Sequence, residues 1–71
     1  MPTINMPATG ANIASIRKQK GKTIRDIQDA CGVSAAAVCK WQKGQCMPTI
    51  DNLIIMAFVF GVTLDDLVVV M

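Results

Sequence analysis

Start and stop residues for helices alternate along this chain, and that alternation constrains its fold more than any other feature. A helix leaves its first N–H groups without partners, so a Ser, Thr, Asp or Asn oxygen just ahead of the first turn is favourable. Its end favours glycine, which adopts a left-handed backbone without a Cβ clash. Thr9, Thr23, Ser34, Thr49 and Thr63 offer starts, and Gly21, Gly32, Gly44 and Gly61 offer stops. In order they predict five helices, over residues 10–20, 24–31, 35–43, 50–60 and 64–69. Two starts read Thr-x-x-Asp, Thr23 with Asp26 and Thr63 with Asp66, which approximates a reciprocal capping box.

Apolar spacing agrees with this division. Ile13 and Ile16 share a face of the first helix, Ile24, Ile27 and Cys31 a face of the second, and Val38 and Trp41 a face of the third. The fourth, with Ile50, Leu53, Ile54, Met56, Ala57, Phe58 and Phe60, is apolar almost all round, which predicts a central buried helix. Leu64, Leu67 and Val68 give the fifth a packing face. At 71 residues, 52% hydrophobic and 17% charged, the chain reads as one small folded domain over residues 9–71 behind an extended arm, residues 1–8. The alternation Thr3-Ile4-Asn5-Met6 makes that arm a candidate to pair with Val68-Val69-Val70 near the other end.

Composition removes several classes of function. The chain has no His, no Tyr and no Glu, so most general acid–base groups and the commonest transition-metal ligand are missing. Three cysteines cannot close a disulfide framework. No cofactor, metal or enzymatic activity is expected. The segment Met1–Pro7 has no basic region ahead of an apolar run, so it does not read as a signal peptide. Leu53–Met71 is interrupted as a membrane span by Gly61 and the Asp65-Asp66 pair. A reducing, cytoplasmic setting is the expectation. The net charge of +2 conceals a division: residues 1–43 hold seven basic residues against two Asp, a net +5, and residues 44–71 hold three Asp and no base, a net −3. The front half suits a polyanion.

Only Gly32-Val33-Ser34 separates the second helix from the third. Three residues led by a glycine force two helices to cross steeply, with Val33 plugging the gap and Ser34 capping the next helix. From Ile13 to Val68 the chain resembles a Cro/lambda-repressor-type helix-turn-helix domain. The matching residues are Ile16-Arg17 before Gly21, the capped start at Thr23, Cys31-Gly32-Val33-Ser34, Trp41-Gln42-Lys43-Gly44, Pro48, Leu53 and Phe60-Gly61-Val62-Thr63-Leu64-Asp65-Asp66-Leu67. The resemblance implies an all-α, compact five-helix fold whose second and third helices form the helix-turn-helix. It also implies insertion of helix 35–43 into the major groove of double-stranded DNA, as a homodimer, with a repressor-like regulatory role. The chain departs from the family pattern at Ile24 (usually a phosphate-contacting Gln), Gln28 (usually Ala) and Gln42 (usually a Glu paired with an Arg at the Arg17 position). An Arg17–Gln42 hydrogen bond is expected in place of that ion pair.

By the same resemblance, base-edge positions fall at Ser34, Ala35, Ala36 and Lys40, with Ala37 and Lys43 flanking. Lys22, Thr23, Arg25, Lys43 and Gln45 are candidate phosphate contacts. Bidentate base readers are missing from the first turn, so charge and DNA shape are expected to carry much of the binding. The three alanines either offer methyl contacts to thymine or simply favour helix, and Lys40 meets either guanine or a phosphate. Trp41, three residues after Val38, reads as core rather than as a base-stacking group. Cys31 reads as core, Cys39 and Cys46 as partly exposed thiols. The competing reading is a protein-interaction or dimerisation module on the same scaffold, such as an antitoxin, suggested by the apolar back half.

Overall fold

In a computed structural model, which describes residues 2–71, the chain folds into five helices: α1 (Met6–Gln19), α2 (Ile24–Cys31), α3 (Ala35–Gln42), α4 (Ile50–Phe60) and α5 (Leu64–Leu67). Met1, counted with the arm on sequence, lies outside the described residues. The all-α class and the five-helix order are those expected. The expected caps Thr23, Ser34, Thr49 and Thr63 each accept a hydrogen bond from the N–H three residues on. Both capping boxes are closed, and the four expected stop glycines all have positive φ.

The start of α1 differs from expectation. Asn5, not Thr9, is its cap, and the Asn5 side chain accepts from the Ala8 N–H at 3.0 Å. Pro7 falls in the first turn, where its missing N–H costs nothing, so the helix begins four residues earlier than predicted. Thr9 is fully buried inside the helix, and its hydroxyl accepts from the Val69 N–H at 2.9 Å. Of the described arm, only residues 2–5 precede the helix. They pair with the other end of the chain as anticipated, through an antiparallel bridge between Ile4 and Val70. Asn5 N–H donates to Val69 O and Met71 N–H to Thr3 O, both at 2.8 Å. The last helix ends two residues short of the prediction, because Val68 is already extended to meet this clasp.

The core joins Ile13 and Ile16 of α1, Ile27 of α2, Val38 and Trp41 of α3, Leu53, Met56 and Phe60 of α4 and Leu67 of α5. Each fully buried aliphatic side chain contributes on the order of 1.5–3 kcal/mol. α1 packs on α3 and α5, and α2 on α3 and α4, so the helix-turn-helix sits over a two-sided support. The expectation of a wholly buried α4 is overturned. Leu53, Met56, Ala57 and Phe60 face inward, but Ile50, Ile54 and Phe58 are exposed. A domain this small covers only one side of the helix, although its composition is apolar on both.

Candidate nucleic-acid interface

The α2–α3 elbow is built from backbone chemistry. Gly32 holds φ 68°, a left-handed conformation that a Cβ would strain. The N–H groups of Gly32 and Val33 both donate to the carbonyl of Gln28, at 2.8 and 3.3 Å, and so close the end of α2. Val33 rests half-buried against the core. Ser34 Oγ accepts from the Ala37 N–H at 3.1 Å and starts α3.

Packing then orients α3. Val38 and Trp41 are buried, and Ala37 is half-buried against the core, which takes it out of the outward set. Ser34, Ala35, Ala36, Lys40 and the C-cap Lys43 are all exposed. Ala36, Lys40 and Lys43, at i, i+4 and i+7, form one stripe along the helix. No carboxylate lies on α3. Gln45 is exposed just beyond it, with its N–H on the carbonyl of Lys40 at 3.0 Å.

A seam between α1 and the end of α3 was not anticipated. Gly10 is buried in mid-helix, and a Cβ there would collide with the Trp41 carbonyl and lie 2.7 Å from the Gln42 carbonyl. Gly44, with φ +73°, sits so close to Pro7 that a Cβ would meet its Cα at 2.6 Å. The two glycines let backbone meet backbone and set the height of α3 above α1. The available signal was Gly10 itself, a helix-weakening residue whose presence calls for a packing reason. Beside the seam, Arg17 Nε donates to Gln42 Oε1 at 3.0 Å, the bond expected from sequence, and Nη1 donates to the Lys22 carbonyl at 2.9 Å.

At the start of α2 the capping box occupies groups that a phosphate would otherwise use. The Thr23 N–H donates to Asp26 Oδ2 at 2.8 Å, and Thr23 Oγ1 accepts from the Asp26 N–H at 3.1 Å. The Thr23 backbone N–H is therefore already taken by Asp26. The hydrogen bonds from the Thr23 backbone and hydroxyl, with nearby Lys22 adding to them, hold the Asp26 carboxyl below its ordinary value. Arg25 is exposed and paired with Asp29 at 3.0 Å, the one ion pair among the described residues. An exposed i, i+4 pair of this kind is worth only about 0.3–0.5 kcal/mol, so Arg25 can exchange its partner. Ile24, where the family pattern has a phosphate-contacting Gln, is half-buried against the core.

The three cysteines are free thiols, Cys31 and Cys39 half-buried and Cys46 exposed. Burial pushes the Cys31 thiol up, as suits a group packed against the core. Among the described residues no cluster of three or more metal-ligating side chains occurs, and no helix is long and apolar enough to cross a membrane.

Comparison with known proteins agrees with this geometry. A helix-turn-helix family profile matches residues 13–67, and the chain belongs to that family, in its Cro/lambda-repressor-like branch. The chain is 31% identical over 55 residues to the cryptic phage CTXphi transcriptional repressor RstR of Vibrio cholerae serotype O1. That match covers 78% of this chain and 49% of RstR, so the chain spans about half the length of this curated relative. The fold is similar to that of the clp gene regulator ClgR from Corynebacterium glutamicum, at 26% identity and a TM-score of 0.81 over 87% of this chain and 66% of that one. It is also similar to the restriction-modification controller protein C.AhdI from Aeromonas hydrophila, at 17% identity and a TM-score of 0.79 over 89% of this chain and 96% of that one.

Proposed function

We propose that this chain is a sequence-specific double-stranded DNA-binding domain of a transcriptional regulator, repressor-like in action, that inserts α3 into the major groove. The observation that carries this reading is the outward face of α3: small residues at its start, lysines one and two turns on, and no acid. A B-DNA major groove admits an α-helix, and alanines allow its backbone close to the base edges. Ser34, Ala35, Ala36 and Lys40 are the base-edge residues in this reading, and Lys22, Thr23, Arg25, Lys43 and Gln45 meet phosphates. Membership of the family and similarity to RstR, itself a transcriptional repressor, support it. The role is that of a binder rather than an enzyme, needs no metal or cofactor, and belongs in the cytoplasm. Nothing in the relatives favours the interaction-module alternative.

The domain acts as a homodimer in this proposal, with the second copy seated on α4. Ile50, Ile54 and Phe58 form an apolar i, i+4, i+8 stripe, with the exposed Asp51 at its edge. An antiparallel two-fold crossing at Ile54 sets Ile50 of each copy against Phe58 of the other, so the stripe is self-complementary. α4 packs on α2 and α5, which leaves the α3 face open in such a dimer. The test is a binding selection from random duplexes followed by a salt titration. The expected result is an enriched site with two half-sites about 34–36 Å apart, and a log–log slope near −0.9 per phosphate contact. Micromolar protein that ignores duplex DNA at low salt would overturn the reading and favour the interaction module.

A further inference from the structure

We propose that Arg17 is an additional phosphate-binding cation of the α2–α3 face, and that Gln42 is the residue that positions it without cancelling its charge. This rests on the DNA-binding reading above and adds a residue to it. Arg17 is half-buried and held at two points, Nε on Gln42 Oε1 at 3.0 Å and Nη1 on the Lys22 carbonyl at 2.9 Å. Both acceptors are neutral, and Nη2 has no acceptor among the described residues. The two anchors mark the place. Lys22 directly precedes the Thr23 cap of α2, and Gln42 directly precedes Lys43 at the end of α3. The guanidinium thus lies at the junction of the two groups of phosphate candidates, with its side-chain freedom already restrained before any phosphate arrives.

The contrast with Arg25 sharpens the point. Arg25 faces the carboxylate of Asp29, and Lys22 has Asp26 close enough to lower the acid's pKa. Arg17 faces an amide. A carboxylate at position 42 would bind the guanidinium more strongly, as a charge-assisted pair. It would also neutralise it, and a neutral pair releases no counterion from DNA. The amide keeps the orientation and leaves the charge in force.

The experiment compares the full chain with Gln42→Glu by fluorescence titration of a labelled 20-base-pair random duplex across a salt series, with thermal melting alongside. Gln42→Glu is expected to melt no lower than the parent. Its DNA affinity is expected to fall by up to about eightfold at 0.1 M salt, with the log–log slope shallower by about 0.9. Arg17→Gln is expected to reproduce that slope change. Gln19→Glu makes the same charge change on the opposite side of α1 and is expected to leave the slope as it was. An unchanged slope in Gln42→Glu, whatever its melting temperature, overturns the proposal, and so does an equal change in Gln19→Glu. Parent protein that shows no salt-dependent binding to the duplex refutes the DNA-binding reading itself, a distinct result.

Discussion

α3 and α4 each leave one face bare, and the two faces differ in kind. Inside, they are alike: Val38 and Trp41 on α3, and Leu53, Met56 and Phe60 on α4, enter the same core. Outside, α3 shows alanine and lysine, whereas α4 shows Ile50, Ile54 and a Phe58 that is 85% exposed. A polyanion gains from the first surface and nothing from the second, while an apolar partner gains only from the second. Their supports differ too. α3 is held by backbone contacts at both ends, the Gly32 elbow and the Gly10–Gly44 seam, with Arg17 bridging beside it. α4 is held mainly by side-chain packing between a Thr49 cap and a Gly61 stop. The lysine-bearing surface is thus fixed by main chain, and the apolar surface is not.

The largest expected effect breaks the support of α3 alone. Gly10→Val should destabilise the domain by roughly 3 kcal/mol, because the new side chain meets the Trp41 and Gln42 carbonyls, which cannot swing aside. For a domain of this size that is a fall in Tm of about 12–24 °C. Gly32→Val meets nothing within 4 Å and should cost only its backbone strain, on the order of 1–2 kcal/mol. Equal melting temperatures for the two variants would show that the seam is softer than the elbow and would dissolve the distinction between the supports.

A second pair of variants separates the faces themselves. Lys40→Ala should weaken specific DNA binding by about 1–3 kcal/mol if Lys40 reads a base, with Tm little changed, since its side chain is solvated. Phe58→Lys should leave the monomer folded, because Phe58 is exposed and outside the core, and in the proposed dimer it should shift sedimentation from dimer to monomer. If Phe58→Lys still sediments as a dimer, the α4 stripe is not the surface that a second copy uses. If Lys40→Ala binds the selected site as tightly as the parent does, α3 is oriented differently in the groove.

Most of this arrangement was legible in the sequence because capping and turn chemistry are local. Thr23 with Asp26, Ser34, and Thr63 with Asp66 do what their spacing says, and Gly32 turns where it must. The Arg17–Gln42 bond followed from a residue-by-residue resemblance. What escaped was set by tertiary competition. Thr9 looked like a cap, but Asn5 took that role and left the Thr9 hydroxyl for Val69, sixty residues away. Gly10 looked like the beginning of a helix, and only the approach of α3 reveals why a side chain is excluded. α4 looked buried all round because periodicity reports which side of a helix can be covered. It does not report whether the rest of a small chain has enough surface to cover both.

The smallest expected effect compares the same cap in the two halves. In Asp26 and in Asp66 the backbone N–H and hydroxyl of the capping threonine bind the carboxylate and lower its pKa from 3.8, with Lys22 and Lys20 respectively adding a little. The folded state therefore holds these protons less tightly than the unfolded chain. Each box contributes stability that is fully present above the unfolded value and is lost as pH falls through the lower folded value. Tm should be level from neutrality to about pH 5 and drop below about pH 4. Asp26→Asn and Asp66→Asn should each flatten that acid limb to a similar degree. Only Asp26→Asn should also tighten DNA binding at neutral pH, because only Asp26 places a negative charge beside Lys22 on the α3 side of the molecule. Equal tightening by Asp66→Asn would mean that the DNA responds to overall charge and not to the face that α2 and α3 present.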